Sequence, residues 1–170
     1  MRTIILSMMA LIFSTGVAMS QKLAFIDTDY IFSNIPAYQS ALEQINQSSE
    51  QWQKEVDEKY QSIETMYKKC QESRSTLSVE NQRKQEEEII AQENQAKELQ
   101  KKYFGREGLL AQKQTELLQP IQERVTGAVR DLASDGGYDL VFDTAADAGI
   151  IYSNPKNDQS DEILQRLGYK

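Results

Sequence analysis

Between Ala37 and Ser134 the chain carries one proline and three glycines, and the stretch is dominated by Gln, Glu, Lys, Leu and Ala. These residues lose little side-chain freedom when helical, so the middle of the molecule is committed to helix almost without interruption. Glu50–Lys54, Glu55–Lys59, Glu64–Lys68, Glu80–Lys84, Glu93–Lys97 and Glu98–Lys102 all place Glu four positions before Lys. That orientation is the favourable one on a helix surface and adds roughly 0.2–0.5 kcal/mol per pair. A helix that projects away from a core needs local support of this kind.

One weak point divides the run. The segment from Glu72 to Asn81 holds four hydroxyl residues, and Ser78 is placed to cap a new helix whose first turn contains Glu80. A tight turn is therefore predicted near Thr76 to Ser78. The first arm, 37–76, is then about 60 Å long at roughly 1.5 Å per residue. An antiparallel return of equal length from Val79 ends near Leu118, just before Pro120. Proline inside a helix removes a hydrogen bond and bends the axis, so Pro120 is predicted as a kink at the root of the hairpin. Gly105 and Gly108 lie partway back and loosen the arm there. Gly105, Gly108 and Pro120 are the expected arm hinge.

The arms need a shared seam. In the first, Leu42, Ile45, Trp52, Val56, Ile63, Met66 and Cys70 follow a 3–4 spacing that Ser49 and Lys59 interrupt. In the second, Ile89, Ala96, Leu99, Tyr103 and Leu110 do the same, before the pattern slides to Leu118, Ile121, Val125, Ala128 and Leu132. So sparse a seam predicts a stiff but bendable hairpin, since a rigid coiled coil shows stricter heptads.

Both ends have the opposite character. Lys22 to Asp27, Tyr138 to Asp143 and Gly149 to Tyr152 are short β-rich runs. Leu23, Phe25, Leu140, Phe142, Ile150 and Tyr152 are the residues expected to build body strands. Ser160 is expected to cap a last helix, Asp161 to Leu167, closed by Gly168. Three strands and one small helix bury little area, and a sheet this small is marginal in one chain. Association of several copies would supply the missing core, so a homo-oligomer is the physically preferred solution. The expected fold class is α+β, mainly α, with a long antiparallel helical hairpin rooted in a small β body formed by oligomerisation. The expected organisation is 21–36 for the first body strand and the approach to the arm, 37–134 for the hairpin, and 135–170 for the remaining body.

Composition narrows the function. Of 170 residues none is histidine and one is cysteine, which excludes histidine acid–base catalysis, Cys/His zinc sites and an internal disulfide framework. A formal net charge of −7 argues against a nucleic-acid binder. Low hydrophobic and aromatic contents, 39% and 8%, fit an elongated or oligomeric molecule better than a compact globule. Arg2, the apolar run Ile4 to Phe13 and the small-x-small pattern Ala18-Met19-Ser20 read as a signal peptide over 1–20, cleaved after Ser20. The apolar run is shorter than the roughly 20 residues that span a bilayer. Export puts Cys70 in an oxidising compartment, although its place in the apolar pattern makes it a small buried residue by preference.

Lys22-Leu23-Ala24-Phe25-Ile26-Asp27, Ile31-Phe32, Pro36, the Leu77-Ser78 turn, Leu118-Gln119-Pro120-Ile121, Gly137 to Asp143 and the closing Asp158-to-Leu167 segment occur in an order and spacing that resembles the Skp/OmpH family of periplasmic chaperones. The resemblance spans nearly the whole mature chain. It implies a jellyfish-like homotrimer, in which three helical hairpins hang from a shared β body around a cavity. It further implies an ATP-independent holdase in the periplasm that keeps unfolded outer-membrane proteins soluble, with no cofactor, metal or enzymatic step. The absence of a GxxxxGK phosphate loop agrees with that. Trp52, Tyr60, Tyr67, Tyr103 and Phe104 are the client-contact candidates, because aromatics give large contact area at low rotamer entropy. The alternative is that most of them hold the two arms together.

Well-known members of the family are basic, and this chain is acidic. Lys97, Lys101, Lys102 and Arg106 form a stripe on the second arm that reads as a solvated face paired with its Glu neighbours, which argues against anionic-lipid or lipopolysaccharide binding. Two other functions fit the residues. Asp27 with Asp29, or Asp143 with Asp147, could act as paired carboxylates, although aspartates at strand ends commonly form turns. A structural coiled-coil spacer or adaptor of the envelope would keep the arms and need no cavity.

Overall fold

The computed structural model describes residues 21–146 and 149–170. The expected signal segment 1–20 and Asp147 lie outside the described residues. Strand β1 (Leu23–Ile26) leads into helix α1 (Thr28–Ser33), the long helix α2 (Pro36–Ser73), α3 (Val79–Phe104), α4 (Leu109–Gly136), strand β2 (Leu140–Asp143), a 3-10 turn (Pro155–Asn157) and helix α5 (Ser160–Arg166).

Each boundary has a local cause. Asp27 caps α1 by accepting from the Tyr30 amide at 2.9 Å. Pro36 opens α2, where its missing donor costs nothing. The 38 residues of α2 reach about 57 Å at roughly 1.5 Å each. Ser73 ends it: its carbonyl accepts from the Thr76 and Leu77 amides at 3.0 and 3.1 Å. The Gln82 side-chain amide then clamps the turn by donating to the Arg74 and Leu77 carbonyls at 2.7 and 3.0 Å. Ser78 caps α3 through the Asn81 amide. Gly137 closes α4 with φ +61°, a left-handed conformation that favours glycine.

β1 and β2 pair in parallel, with Leu23 opposite Leu140 and Phe25 opposite Phe142. Parallel strands need a crossover, and here the crossover is the whole hairpin. Ala24 and Ile26 face a core completed by Ile31, Ile35, Val125, Ala128, Leu132, Ile163 and Leu164. The root of the returning helix α4 is thus one wall of the body. A second, smaller cluster lies far along the arm, where Ile63, Ile89 and Ala96 pack with Met66 and Cys70.

Two expectations are corrected. Gly149 to Tyr152 forms no strand: Ile150 is half-buried, and Ile151 and Tyr152 are exposed in extended chain without a ladder partner. β-propensity makes a strand only where a neighbouring backbone accepts it, and the far side of β1 is taken by the Gln159 amide, which donates to the Phe25 carbonyl at 2.8 Å. Ser160 does not cap α5. It is buried, its hydroxyl accepts from the Asp27 amide at 2.8 Å and donates to Asp158, and so it ties α5 to the end of β1. As expected of its glycines, the returning helix is interrupted at Gly105–Gly108, and Pro120 lies inside α4. On the first arm Ala41 is buried beside half-buried Leu42.

Candidate functional site

Two surfaces of the body and arm carry side chains the fold leaves available. On the sheet, Leu23 and Phe25 alternate away from the core, and the parallel register puts Leu140 and Phe142 beside them. The rings of Phe25 and Phe142 stack with centroids 5.8 Å apart. Leu140 is 52% exposed and Phe142 and Leu23 each 37%, so this sheet has one packed face and one open apolar face. Ile151 and Tyr152 add two exposed apolar side chains in the segment that follows β2. Exposure of several large apolar groups on one small element marks an association surface.

Along the arm the polar breaks in the seam turn out to be cross-links. Lys59 donates to Gln92 at 2.9 Å and to Gln95 at 3.4 Å on the facing helix. Tyr67 donates to Glu93 at 2.8 Å, Tyr60 reaches Gln100 at 3.4 Å, and Tyr103 donates to Glu55. Glu55, Lys59 and Glu93 are therefore engaged between arms. Of the six expected Glu–Lys pairs, only Glu64–Lys68 and Glu80–Lys84 form ion pairs among the described residues. Sequence spacing finds pairs on one helix, but it cannot see that a partner on the other helix competes for the same group.

The aromatic candidates divide by burial. Tyr103 is 7% exposed and stacks on Trp52 at 5.2 Å with the rings 7° from parallel. Tyr103 is accordingly a packing residue, not an open contact, and half-buried Trp52 is its partner. Phe104 sits half-buried at the edge of the Tyr103 ring. Tyr60 and Tyr67 are 39% and 42% exposed, each anchored by its hydroxyl with the ring face open. Ile90, 54% exposed, joins them on the arm surface, and only its place beside the seam residue Ile89 hinted at it. Lys97, Lys101, Lys102 and Arg106 are all exposed.

Two of these tyrosines give the arm a pH limit. Donation to Glu93 holds the Tyr67 hydroxyl above its usual range, and donation to Glu55 does the same for Tyr103. A raised value in the folded state means the folded arm keeps a proton that the unfolded chain releases above about pH 10. This contribution is fully present below that pH and is lost as pH rises through the raised values. Tyrosinate absorbance at 295 nm should therefore rise late, together with loss of helicity, and Tyr103→Phe should remove part of that coupling.

The strand-end aspartates are engaged. Asp143 accepts from the Thr28 hydroxyl at 2.6 Å and from the Thr28 and Ala145 amides at 3.1 and 3.0 Å. Asp27 is a helix cap, and Asp29 stands exposed in the first turn of α1. No group of three or more His, Cys, Asp or Glu residues gathers into a metal-holding set among the described residues.

Comparison with known proteins agrees with this architecture. The family described as "Outer membrane protein (OmpH-like)" matches residues 22–167. "Chaperone protein Skp" of Yersinia enterocolitica is 24% identical over 146 residues, covering 86% of this chain and 85% of that protein. The protein of the same name from Photorhabdus laumondii is 26% identical over 158 residues, with 93% and 92% covered. That of Pectobacterium atrosepticum is 26% identical over 152 residues, with 89% of each covered. The crystal structure of an OmpH-like protein from Caulobacter crescentus superposes with a TM-score of 0.67 over 87% of this chain and 84% of that one, at 10% identity. Hairpin and small sheet are thus a fold shared with that protein.

Proposed function

The chain belongs to the OmpH-like family, and on that premise we propose that it is an ATP-independent holdase chaperone which keeps unfolded outer-membrane proteins from aggregating before they insert. The observation that carries this reading is a pair of long, mixed-charge helices projecting from a body whose sheet has one uncovered apolar face. Relatives that bear the name chaperone and match over nearly their whole length support it. A holdase needs many weak, geometry-tolerant contacts whose sum is strong, and arms of this kind supply them without a catalytic step. In the proposed assembly three chains close their apolar sheet faces on one another, and the arms enclose the client in a shared cavity. The reading includes export to the periplasm by the segment 1–20, and it gives no role to anionic lipid, because the chain is acidic.

Tyr60, Tyr67, Phe104 and Ile90 are the proposed client contacts, with Trp52 and Tyr103 supporting them from behind. The test is suppression of light scattering by several unrelated unfolded outer-membrane β-barrel proteins. A holdase acts on many of them, and a structural spacer acts on none. Tyr60→Ser combined with Tyr67→Ser is expected to weaken client retention about tenfold, since two open aromatic contacts contribute roughly 0.5–1.5 kcal/mol each. These changes also remove the inter-arm bonds to Gln100 and Glu93, so Tyr60→Phe with Tyr67→Phe is the control: it loses the same bonds, keeps the rings and should retain the client. Retention by the serine variant equal to the parent protein would remove these residues from the contact surface.

A further inference from the structure

We infer that neighbouring copies of the chain hold arm against arm through a charge match: the basic outer edge of the returning arm, between Lys97 and Arg106, seats on the acidic outer face of α2 in the next copy. Between Lys97 and Arg106 four cations stand against one acid, Glu98, in a chain whose formal net charge is −7. Lys97, Lys101, Lys102 and Arg106 are exposed, and none of them forms an ion pair among the described residues. Glu93, the partner expected for Lys97, accepts from Tyr67 across the seam instead. Lys102 rests over the Tyr103 ring, 5.5 Å from its centroid. A positive edge on an acidic chain, left unpaired by its own neighbours, is an interaction surface in want of an anionic one.

The acidic counterpart lies on the other helix at the same height. Tyr103 stacks on Trp52 and Tyr60 reaches Gln100, so residues 97–106 run level with roughly residues 50–62 of α2. There Val56 and Ile63 are buried in the seam, and the helical period turns Glu50, Lys54 and Glu58 to the outside with Asp57 beside them. Together with Gln53 and Gln61 they line a shallow polar groove along α2. Lys54 pairs with Glu58 at 3.9 Å, and neither Glu50 nor Asp57 has a cation among the described residues. On α3 the burial of Ala96 and Tyr103 turns Lys101 outward, with Lys97 and Lys102 on its flanks. The two patches therefore occupy opposite edges of one hairpin and do not meet within a chain. Opposite charges on opposite edges at one height are the condition for a head-to-tail contact. Each copy offers one patch to the neighbour before it and the other to the neighbour after it, and a closed ring leaves none over. That match selects a second copy as the occupant. Because the groups are exposed, each pair is weak and the contact is sensitive to salt.

The contact rests on the assembly of several copies proposed above, and not on chaperone activity. The full chain is assembled from equal parts of isotope-labelled and unlabelled protein and treated with a water-soluble carbodiimide, which joins a lysine amine to a carboxylate as an amide with loss of water. Mixed-isotope peptides should link 97–106 to 50–58, with a yield that falls several-fold between about 0.05 and about 0.5 M salt. Nitroxides on Glu86→Cys in a Cys70→Ser background read the distance between arms of different chains. Lys97→Glu with Lys101→Glu should lose the short-distance population, and adding Asp57→Lys with Glu58→Lys should restore it. Linked peptides of one isotope only, or a charge reversal without effect, in material that sediments as an assembly would overturn the contact alone. Sedimentation as a single chain would overturn the assembly together with it. Binding to phosphatidylglycerol vesicles that Lys97→Glu with Lys101→Glu abolishes, at unchanged distance between arms, would assign the basic edge to lipid and overturn the contact.

Discussion

Replacing Leu140 and Phe142 together by lysine is expected to reduce the proposed assembly to single chains and to abolish the proposed suppression of client aggregation. These side chains lie in register with Leu23 and Phe25 on the one sheet face that the chain does not cover. Full burial of an exposed large apolar side chain contributes about 1.5–3 kcal/mol, and these four, already partly covered within one chain, would each add a fraction of that toward association. Two lysines per chain would remove half of that area and set like charges against one another around the assembly axis. Sedimentation should report the mass of a single chain, no more than the 19.4 kDa of the full sequence. The arms should stay largely helical, since their Glu–Lys pairs and inter-arm hydrogen bonds are independent of the body. An assembly of unchanged mass would show that this face is not the association surface.

Ile163→Ala should be the most destabilising truncation in the body. Ile163 is fully buried, and it packs with Leu164 against a cluster drawn from β1, α1 and α4. Removing its methyl and methylene groups costs about 2–5 kcal/mol, partly as lost transfer energy and partly as the cavity left behind. For a chain of this size each kcal/mol lowers the midpoint by roughly 2–4 °C. A fall of roughly 5–20 °C in thermal unfolding is therefore expected. Ile90→Ala, on the open side of α3, is the control and should stay within about 0.5 kcal/mol. Equal melting of the two variants would mean that the closing helix contributes little to the body.

Sequence reading reached furthest where the cause is local. The Ser78 cap and the chain reversal beside it depend on residues within a turn of one another. It reached less far where two segments compete for one side chain. Lys59 reads as a break in an apolar seam, yet it bridges to Gln92 and Gln95. Tyr103 reads equally as a contact or a packing residue, and only its stack on Trp52 and its bond to Glu55 assign it to packing. Ser160 carries the chemistry of a cap, but Asp158 and the Asp27 amide claim its hydroxyl first.

The helical hairpin, its reversal and the β character of the ends are legible in the residues alone, because propensity, hydrophobic period and capping act between near neighbours. The parallel pairing of β1 with β2 and the unpaired state of Gly149 to Tyr152 came from the three-dimensional arrangement alone. Strand pairing joins groups as remote as Lys22 and Asp139, 117 positions apart, so its register is set by how the hairpin returns to the body and by no local pattern.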